Sequence, residues 1–534
     1  MDDNSADSAN STSAVRPRSV LVVGGGPAGL VTLRNLVERS KGRFERVLLV
    51  ERRDDIGGVW YQDEPIIPSA NPTTAMNKPQ WPSPAYPGLV GNVLPRFLAF
   101  SEAPFPESPN HPHQPFPTLT ETYQYLRSFA EPYIEQGNIQ LNTEVMRIEE
   151  LPDKQGWKVR VRDWSMCDDN DGMPLETEEI WDAVAVCAGY YDKPNWPDTE
   201  GLNQVRKRGL ALHAKWWNGP DGYEGKKAII IGNANSSNDI ASQLAPVAQT
   251  PVYRSMRRPA APWFPSLADS RIKNVSAIKK YILQPAEETD DGMMLEKVTV
   301  ILQDGSEIKD IDVVILGTGY CPHPEFVHVL PVPADGTANA SEINNKTVSS
   351  TVPIMSYTTP VLPQFRRIPF LHRHILYSYN PSLAFIGAIL AMTPFIVADV
   401  ASTWLTLAWL GEVSYPDSVD ERMAFDRERI AQVVKLLEVP DTVPENEGAG
   451  DSKESSPDPP SSFVTYGFLG PGDTENGGKG GEAEYANNLR DDIVRARPDL
   501  DAVLPTWDEE TIKARTEMYP TKYEALKWAQ MHCV

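Results

Sequence analysis

The sequence predicts an α/β protein with two Rossmann-like domains, and two observations lead to that prediction. A short β-branched run that ends in a glycine turn and a helix occurs once from Ser19 and again from Lys227. Each helix is followed by a second short apolar run. The order strand, glycine turn, helix, strand opens a doubly wound sheet. Two such openings about 200 residues apart predict two such domains, or one inserted in the other.

The composition is that of a globular chain of two or three compact units. Its 534 residues are 41% hydrophobic and 23% charged. The formal net charge of −23 argues against a nucleic-acid partner, because phosphate contacts need clustered Lys and Arg. Four scattered cysteines without a CxxC pair favour a reducing compartment, so we expect a cytoplasmic protein.

Two segments bear on targeting. Residues 1–18 are polar and start acidic, so we expect a disordered leader and not a secretory signal. The apolar stretch 383–411 is long enough to span a bilayer, but Pro394 and Asp399 interrupt it. We expect a strand followed by a buried helix and no integral span. Peripheral membrane attachment and a homodimer stay open.

The first glycine turn has the spacing of a dinucleotide site. Gly24 permits the tight turn, Gly26 lets the backbone approach a pyrophosphate, and Gly29 lets helix and strand pack closely. Glu51 follows Gly29 by 22 residues, at the end of the next strand. A carboxylate at that position can accept hydrogen bonds from ribose hydroxyls.

The second turn, "GNANSSNDIA", has Ala234 where such a loop usually carries its second glycine. The added methyl group removes clearance at the pyrophosphate, which costs about 1 kcal/mol and need not abolish binding. Downstream, Arg254 and Arg257 follow the next strand. An arginine there can bind the 2′-phosphate that distinguishes NADPH from NADH, and Arg257 is the better placed of the two.

Taken together, the motifs resemble the flavin-containing monooxygenase family of the class B flavoprotein monooxygenases, with fungal members the most similar. They occur in family order between residue 19 and about residue 410. The matching pieces are "VVGGGPAGL", "ERRDDIGGVW", "YPGLVGNVLPRFLAFSEAPFP", "FPTLTETYQYLRSFAEPY", "WDAVAVCAGYYDKPNWP", "RGLALHAKWW", "IIIGNANSSNDIA" and "VVILGTGY".

The resemblance implies an FAD-binding domain with an inserted NADPH-binding domain. The implied boundaries are listed in chain order: 19–199 for the first FAD part, 200–311 for the NADPH domain, 312–439 for the FAD return, 440–482 for a flexible low-complexity insertion, and 483–534 for a C-terminal helical segment packing on the FAD domain.

The implied reaction is hydride transfer from NADPH to FAD, followed by capture of O2 as a flavin 4a-hydroperoxide. One oxygen atom then passes to a nucleophilic nitrogen or sulfur of a small organic molecule. Baeyer–Villiger oxidation of a ketone is an alternative, and an FAD- and NADPH-binding protein without oxygenation is a second. A disulfide reductase would need a redox cysteine pair, whereas Cys187 and Cys321 each stand alone.

The resemblance also assigns cofactor residues. Those near the flavin are Gly58 and Trp60, and Val145 would hold the adenine end through its backbone. The NADPH loop comprises Gly232, Ala234, Asn235, Ser236 and Ser237, with Arg254 and Arg257 after it. Thr318 and Gly319 of "VVILGTGY" complete the cofactor-binding set.

Two further assignments concern chemistry. The oxygenase fingerprint maps onto Gly209, His213 and Trp217, with Lys207 replacing its aromatic first residue. We interpret His213 as a domain-joint residue and not as a general base. Asn92 is the predicted catalytic residue, which hydrogen-bonds oxygen or NADP⁺ over the flavin, although a turn asparagine is the alternative.

No metal site is predicted. The pairs His111/His113 and His372/His374 lack a neighbouring carboxylate or cysteine cluster that would complete a ligand set.

Overall fold

The structure is a computed structural model. It describes the following residues: 15–62, 79–106, 113–167, 173–257, 266–285, 287–288, 294–322, 324–332, 350–358, 366–437, 466–470, 472 and 480–532. Most of the predicted leader, His111, and the predicted insertion up to residue 465 lie outside them.

The helices are numbered in chain order. They are α1 (Pro27–Arg34), α2 (Leu119–Glu135), α3 (Leu202–Lys207), α4 (Asn235–Leu244), α5 (Pro394–Trp409), α6 (Val419–Leu437), α7 (Glu482–Ala496) and α8 (Glu509–His532).

The first sheet has seven strands and contains the first glycine turn. Its strands, in spatial order, are Leu371–His372, Leu376–Tyr377, Leu383–Phe385, Ala183–Val186, Ser19–Val23, Arg46–Val50 and Ile139–Gln140. The last five are parallel neighbours. Both faces of the central strands are buried, which explains their unbroken apolar sequences.

The second sheet has five parallel strands and contains the second glycine turn. In spatial order they are Ile272–Val275, Val252–Ser255, Ala228–Ile231, Val313–Leu316 and Ala211–His213. Two Rossmann-like sheets, each opened by a glycine turn, confirm the predicted fold class.

The position of Val313–Leu316 corrects one predicted boundary. Starting the FAD return at residue 312 was wrong, because this strand lies inside the second sheet, between Ala228–Ile231 and Ala211–His213. It occupies the place that Ala183–Val186 holds beside Ser19–Val23 in the first sheet. The second sheet therefore includes the chain up to Leu316.

The remaining strands form smaller sheets. A mixed sheet contains Val352–Pro353, Val327–Val329, Thr143–Glu150, Trp157–Cys167 and Pro174–Trp181, and an antiparallel sheet contains Ile278–Leu283, Val298–Leu302 and Glu307–Ile311. Three two-stranded pairs join Glu287–Glu288 to Met294–Leu295, Lys193–Pro194 to Tyr320–Cys321, and Leu390–Ala391 to Phe468–Leu469.

The apolar stretch 383–411 forms a strand and then the buried helix α5, as predicted. Asp399 is fully buried within α5 and pairs with Arg34 of α1 at 2.8 Å. Its second carboxylate oxygen accepts the Ser101 backbone N–H at 2.6 Å. The carboxylate that interrupts the apolar run is thus satisfied inside the protein. Within the described residues, no helix is long and apolar enough to cross a membrane.

Part of the predicted insertion is folded. Tyr466 is buried and donates a hydrogen bond to Asp426, and Phe468–Leu469 pairs with Leu390–Ala391. Glu482 is fully buried, where it accepts hydrogen bonds from Thr393 at the start of α5. For residues 466–470 and 480–482 the prediction of a flexible insertion was therefore wrong. The Tyr466 and Leu469 side chains in this part of the segment are buried.

Candidate functional site

The first glycine turn is fixed by close backbone contacts. Gly24 has φ +107°, and a Cβ atom there would lie 2.8 Å from the Cys187 carbonyl oxygen. A Cβ atom on Gly29 would lie 1.8 Å from the Gly24 carbonyl oxygen. Neither position accepts a side chain, so α1 begins directly against the strand Ser19–Val23. The open N-terminus of α1, which has no side-chain cap, is suited to a pyrophosphate.

Glu51 lies beside this turn. Its carboxylate is buried and accepts the Gly25 backbone N–H at 2.6 Å and the Arg53 backbone N–H at 3.0 Å. These bonds fix the carboxylate at the end of the second parallel strand, where a ribose would lie.

A cavity of about 600 Å³ opens from the turn into the protein. Most residues predicted to bind the flavin cofactor line it, namely Gly24, Gly26, Glu51, Gly58, Trp60 and Val145, and the predicted catalytic residue Asn92 lines it as well. Gly29 instead provides the helix–strand contact. The far wall is mainly apolar and includes Leu98, Ile389 and Phe395. Phe395 and Trp404 are buried in the core, and of these two only Phe395 reaches the cavity.

Asn92 reaches the cavity from the loop before the segment Pro95–Phe97. The preceding Gly91 is buried, and its N–H donates to the Pro117 carbonyl at 2.8 Å. Its carbonyl accepts the Lys522 ammonium group at 2.8 Å. A Cβ atom on Gly91 would lie 3.1 Å from the Pro117 oxygen, so the loop passes close to Pro117 at the position of this glycine.

The second glycine turn repeats the geometry of the first. Gly232 N–H donates to the Ser255 carbonyl at 3.0 Å, as Gly24 N–H donates to Val50 at 2.9 Å. Ala234 precedes α4 with φ −92° and ψ −178°, close to the φ −80° and ψ −179° of Gly26. An extended conformation suits alanine, so the substitution introduces no backbone strain.

A second glycine is missing from this turn, and the sequence prediction overlooked it. Ser237 occupies the position equivalent to Gly29. Its hydroxyl lies 3.3 Å from the carbonyl oxygens of both Ile231 and Gly317. A Cβ atom on Gly317 would lie 2.0 Å from the Ser237 Oγ. Gly317, directly after the neighbouring strand Val313–Leu316, thus provides the room that the third glycine of the loop normally supplies.

The strand register identifies the residues that meet the second ribose. Ile231 pairs with Ser255 as Val23 pairs with Val50, so Met256 stands where Glu51 stands in the first sheet. The backbone N–H group of each residue donates to a carbonyl of the next parallel strand, Met256 to Val275 at 3.0 Å and Glu51 to Gln140 at 2.9 Å. With methionine there, no carboxylate opposes a 2′-phosphate.

The two candidate arginines differ in their surroundings. Arg257, the residue after Met256, is exposed. The Arg254 guanidinium instead donates to Asn238 at 2.7 Å, Ser266 at 2.9 Å and Asn274 at 2.9 Å. Arg254 is therefore held within the strand layer, whereas Arg257 lies next to the ribose position. Asn235, Ser236 and Ser237 form the first turn of α4.

His213 ends the edge strand Ala211–His213 of the second sheet and contacts the chain segment that returns from this sheet at Gly319. It is fully buried, its Nδ1 accepts the Lys215 backbone N–H at 3.1 Å, and its Nε2 lies 3.0 Å from the Gly319 carbonyl. These partners assign the proton to Nε2. Burial lowers the pKa of His213 to about 4, so the ring is neutral at physiological pH. This geometry supports the interpretation of His213 as a domain-joint residue and not as a general base.

The other fingerprint residues continue this joint. Gly209 has φ +75° in the turn after α3, and the buried Trp217 donates from its indole to Gln243 of α4 at 3.2 Å. Lys215 donates to Asp192 at 2.6 Å, and Asp192 also pairs with Arg52 at 3.1 Å. Two ion pairs thus connect Arg52, the residue after Glu51, to the fingerprint segment through Asp192, a link that the sequence motifs did not reveal.

Thr318 and Gly319 lie in the crossing between the domains and are not among the cavity-lining residues. Thr318 Oγ1 donates to the Asn195 carbonyl at 2.6 Å, and Asn195 N–H donates to the Gly319 carbonyl at 2.8 Å. The outgoing strand Lys193–Pro194 pairs with the returning strand Tyr320–Cys321. Both predicted cofactor residues therefore hold the two crossings together.

Cysteine and histidine chemistry has little support at the cavity. Cys187 lines it, but burial raises the pKa of this thiol to about 12, and both Cys187 and Cys321 are free. His374 also lines the cavity, and burial lowers its pKa to about 3. Among the described residues, no group of three or more potential ligands could hold a metal ion.

This geometry defines a flavoprotein with two dinucleotide sites. The Gly24–Gly29 turn, the fixed Glu51 carboxylate and the adjoining cavity fit FAD. The second turn, with Met256 and Arg257 after it, fits NADPH. When bound, the flavin supplies redox chemistry with NADPH and O2, while the chain binds, orients and encloses it.

Comparisons with known proteins show which family this chain is similar to. The family described as FMO-like, flavin-binding monooxygenase-like, matches residues 17–263. Flavin-containing monooxygenase FMO GS-OX-like 2 from Arabidopsis thaliana is 28% identical over 417 residues, which cover 76% of each chain. Dimethylaniline monooxygenase (N-oxide-forming) 2 from Pan troglodytes is 27% identical over 356 residues, which cover 57% of this chain and 62% of that protein.

A solved structure agrees over nearly the whole length. That of S-allyl-L-cysteine S-oxygenase from Allium sativum superimposes with a TM-score of 0.61 at 20% identity, covering 95% of this chain and 99% of that one. The chain is similar to the flavin-binding monooxygenase family over residues 17–263, and these relatives support an FAD- and NADPH-dependent monooxygenase.

Proposed function

We propose that this enzyme uses NADPH and O2 to transfer one oxygen atom to a nucleophilic nitrogen or sulfur of a small organic molecule, a reaction suited to secondary metabolism. The observation that carries the proposal is the placement of Asn92 on a largely apolar cavity that begins at the FAD turn. An amide at that point can hydrogen-bond oxygen or NADP⁺, and the apolar walls exclude water.

The substrate class is supported by the relatives and by the weak basicity of the histidine at the cavity. The Pan troglodytes relative is named as N-oxide-forming and the Allium sativum protein as an S-oxygenase. Transfer of oxygen to an amine or thioether needs no general base on the enzyme, because the substrate lone pair is the nucleophile. This agrees with the lowered pKa of His374, the histidine that lines the cavity.

We assign the cofactor roles accordingly. Glu51 holds the FAD ribose, and Gly58 and Trp60 contact the flavin side of the cavity. Arg257 binds the NADPH 2′-phosphate, while Arg254 supports the loop through Asn238. We place the enzyme in the cytoplasm, which suits its free Cys187 and Cys321.

The test is product analysis with purified, FAD-loaded protein. NADPH oxidation, H2O2 release and product mass would be followed with a panel of thioethers, tertiary amines and cyclic ketones. We expect a sulfoxide or N-oxide one oxygen atom heavier than its substrate, with H2O2 below the NADPH consumed. Ester from a ketone without N- or S-oxide would favour Baeyer–Villiger chemistry. H2O2 release equal to NADPH oxidation with every substrate would show that the flavoprotein does not transfer oxygen to them.

A further inference from the structure

The C-terminal helix α8 contacts the chain on both sides of Asn92. The Lys522 ammonium group donates to the Gly91 carbonyl at 2.8 Å and lies 3.4 Å from the Val90 carbonyl. One helical turn earlier, the Met518 sulfur lies 3.4 Å from the Leu94 backbone nitrogen, which donates to it. Residues four apart share a helix face, so a single face of α8 meets this loop.

Lys522 is a buried charge with specific partners. The residue is 8% exposed, and its ammonium group lies 5.0 Å from the centre of the Phe116 ring. Burial lowers the pKa of Lys522, and the Asp239 carboxylate opposes that change. Taking an ammonium group out of water is costly unless it is hydrogen-bonded and paired. An apolar side chain would fill this position without that cost, so the charged group has a role beyond packing.

The Gly91 carbonyl is the point at which the loop most needs a fixed contact. Gly91 has no side chain, and its backbone is more permissive than that of any other residue. The carbonyl that Lys522 binds belongs to the Gly91–Asn92 peptide, whose atoms share one plane with the Asn92 N–H and Cα. Fixing that oxygen therefore fixes the orientation of the Asn92 N–H and Cα, from which the Asn92 side chain extends.

The same segment reaches the NADPH domain. Tyr86 donates from its hydroxyl to Asp239 of α4 at 2.9 Å. Asp239 follows the second glycine turn by a few residues and interacts electrostatically with Lys522. The ammonium group thus lies among three elements: helix α8, the loop that carries Asn92, and the helix that begins at the NADPH turn.

We propose that Lys522 is a positioning residue for Asn92, which it aims into the cavity by holding the Gly91–Asn92 peptide. The proposal rests on the function proposed above for Asn92. It assigns to the C-terminal segment a part in coupling NADPH oxidation to oxygen transfer, in addition to its packing on the FAD domain.

The experiment compares FAD-loaded wild-type enzyme with Lys522→Met, Asn92→Ala and the double variant. Lys513→Met is the matched control, because Lys513 lies on the same helix, is 74% exposed and pairs only with Glu517 among the ion pairs of the described residues. The readouts are the anaerobic rate of flavin reduction by NADPH and the H2O2 released per NADPH oxidised in the presence of a thioether.

We expect Lys522→Met to raise H2O2 release about 3- to 10-fold, since a small misplacement of a catalytic group costs that much or more. Flavin reduction should stay within about twofold of wild type, because Lys522 is not in the NADPH loop. The double variant should resemble Asn92→Ala alone, since both changes remove the same interaction. Lys513→Met should match wild type.

Three results would overturn the proposal. The first is normal coupling in Lys522→Met while Asn92→Ala is uncoupled. The second is an additive effect in the double variant, and the third is a defect confined to flavin reduction. Normal coupling in Asn92→Ala would instead reject the role proposed for Asn92 itself. If Lys522→Met does not retain FAD, Lys522→Gln serves in the same comparison, because it keeps an N–H donor without the buried charge.

Discussion

The backbones of Gly26 and Gly58 touch: a Cβ atom on Gly58 would lie 2.7 Å from the Gly26 Cα, and one on Gly26 would lie 3.3 Å from the Gly58 Cα. The first glycine turn and the Gly57–Gly58 turn therefore form one surface of the FAD cavity. Neither motif alone explains this contact, because it requires that both turns lack a side chain where they meet.

The contrast between Gly26 and Ala234 gives the first prediction. Gly26→Ala should reduce FAD retention sharply, because its methyl group would meet Gly58 as well as the cofactor. Ala234→Gly should lower the KM for NADPH, by up to about fivefold if the clearance gained is worth 1 kcal/mol. Glycine is also acceptable at the N-cap that Ala234 occupies. FAD content after gel filtration and steady-state NADPH kinetics measure the two effects.

An increase in KM for Ala234→Gly would contradict this account of the loop. It would mean that the methyl group itself contacts NADPH, or that helix α4 depends on alanine at its start.

Substitutions of the two arginines after the second turn should differ in their effects on the KM values for NADPH and NADH. Arg257→Ala should raise the KM for NADPH by about 10- to 100-fold, the loss expected for one charge-assisted phosphate contact. The KM for NADH should change little, because NADH lacks the phosphate. Arg254→Ala should weaken both coenzymes similarly, since Arg254 supports Asn238 and Ser266. Equal loss of NADPH and NADH affinity in Arg257→Ala would reject its assignment.

Much of the site could be predicted from local sequence. Gly24, Gly29 and Glu51 act through spacing along one strand–turn–helix–strand unit, so their pattern is visible in the chain. The roles of Ser237 and Gly317 were not visible, because their contact joins residues 80 positions apart. The position of Met256 had no meaning until the register of Ile231 with Ser255 showed that it is equivalent to Glu51.

Errors at domain boundaries have the same cause. The run "VVILGTGY" suggested a return to the first domain, yet its strand pairs with Ala228–Ile231. Buried parallel strands share one apolar pattern, so the sequence cannot say which sheet such a strand joins. Likewise, the contact of Lys522 with Gly91 links residues 431 positions apart and has no local signature.

Asn92 can be tested by an isosteric change. Asn92→Asp keeps the size of the side chain but removes the amide donor and adds a charge. We expect product formation to fall by about 10- to 100-fold, the range for loss of one well-placed donor. Reduction of the flavin by NADPH should remain within about twofold, because the donor acts after that step. Oxygen uptake, H2O2 release and anaerobic reduction together measure this. Normal coupling would show that Asn92 is a turn residue.

The buried His213 should make the joint between the domains sensitive to acid. Its pKa falls from 6.5 to about 4 on folding, so between these pH values the unfolded chain binds a proton that the folded protein does not. Stability is therefore unaffected by this group above pH 6.5 and decreases as the pH falls from 6.5 towards 4. The decrease attributable to His213 is at most about 3 kcal/mol at pH 4. His372 and His374, also buried with lowered pKa values, act in the same direction.

The His213→Gln variant isolates this contribution. Glutamine does not titrate, so the urea midpoint of the variant should fall less steeply between pH 6.5 and 4.5 than that of wild type. The two curves should run parallel above pH 7, with the variant lower because the contacts to Gly319 and Lys215 are altered. His328→Gln is the control, since His328 is only partly buried and should change the slope less. Parallel curves over the whole range would mean that His213 stays protonated in the folded protein, and that its Nδ1 does not accept the Lys215 N–H.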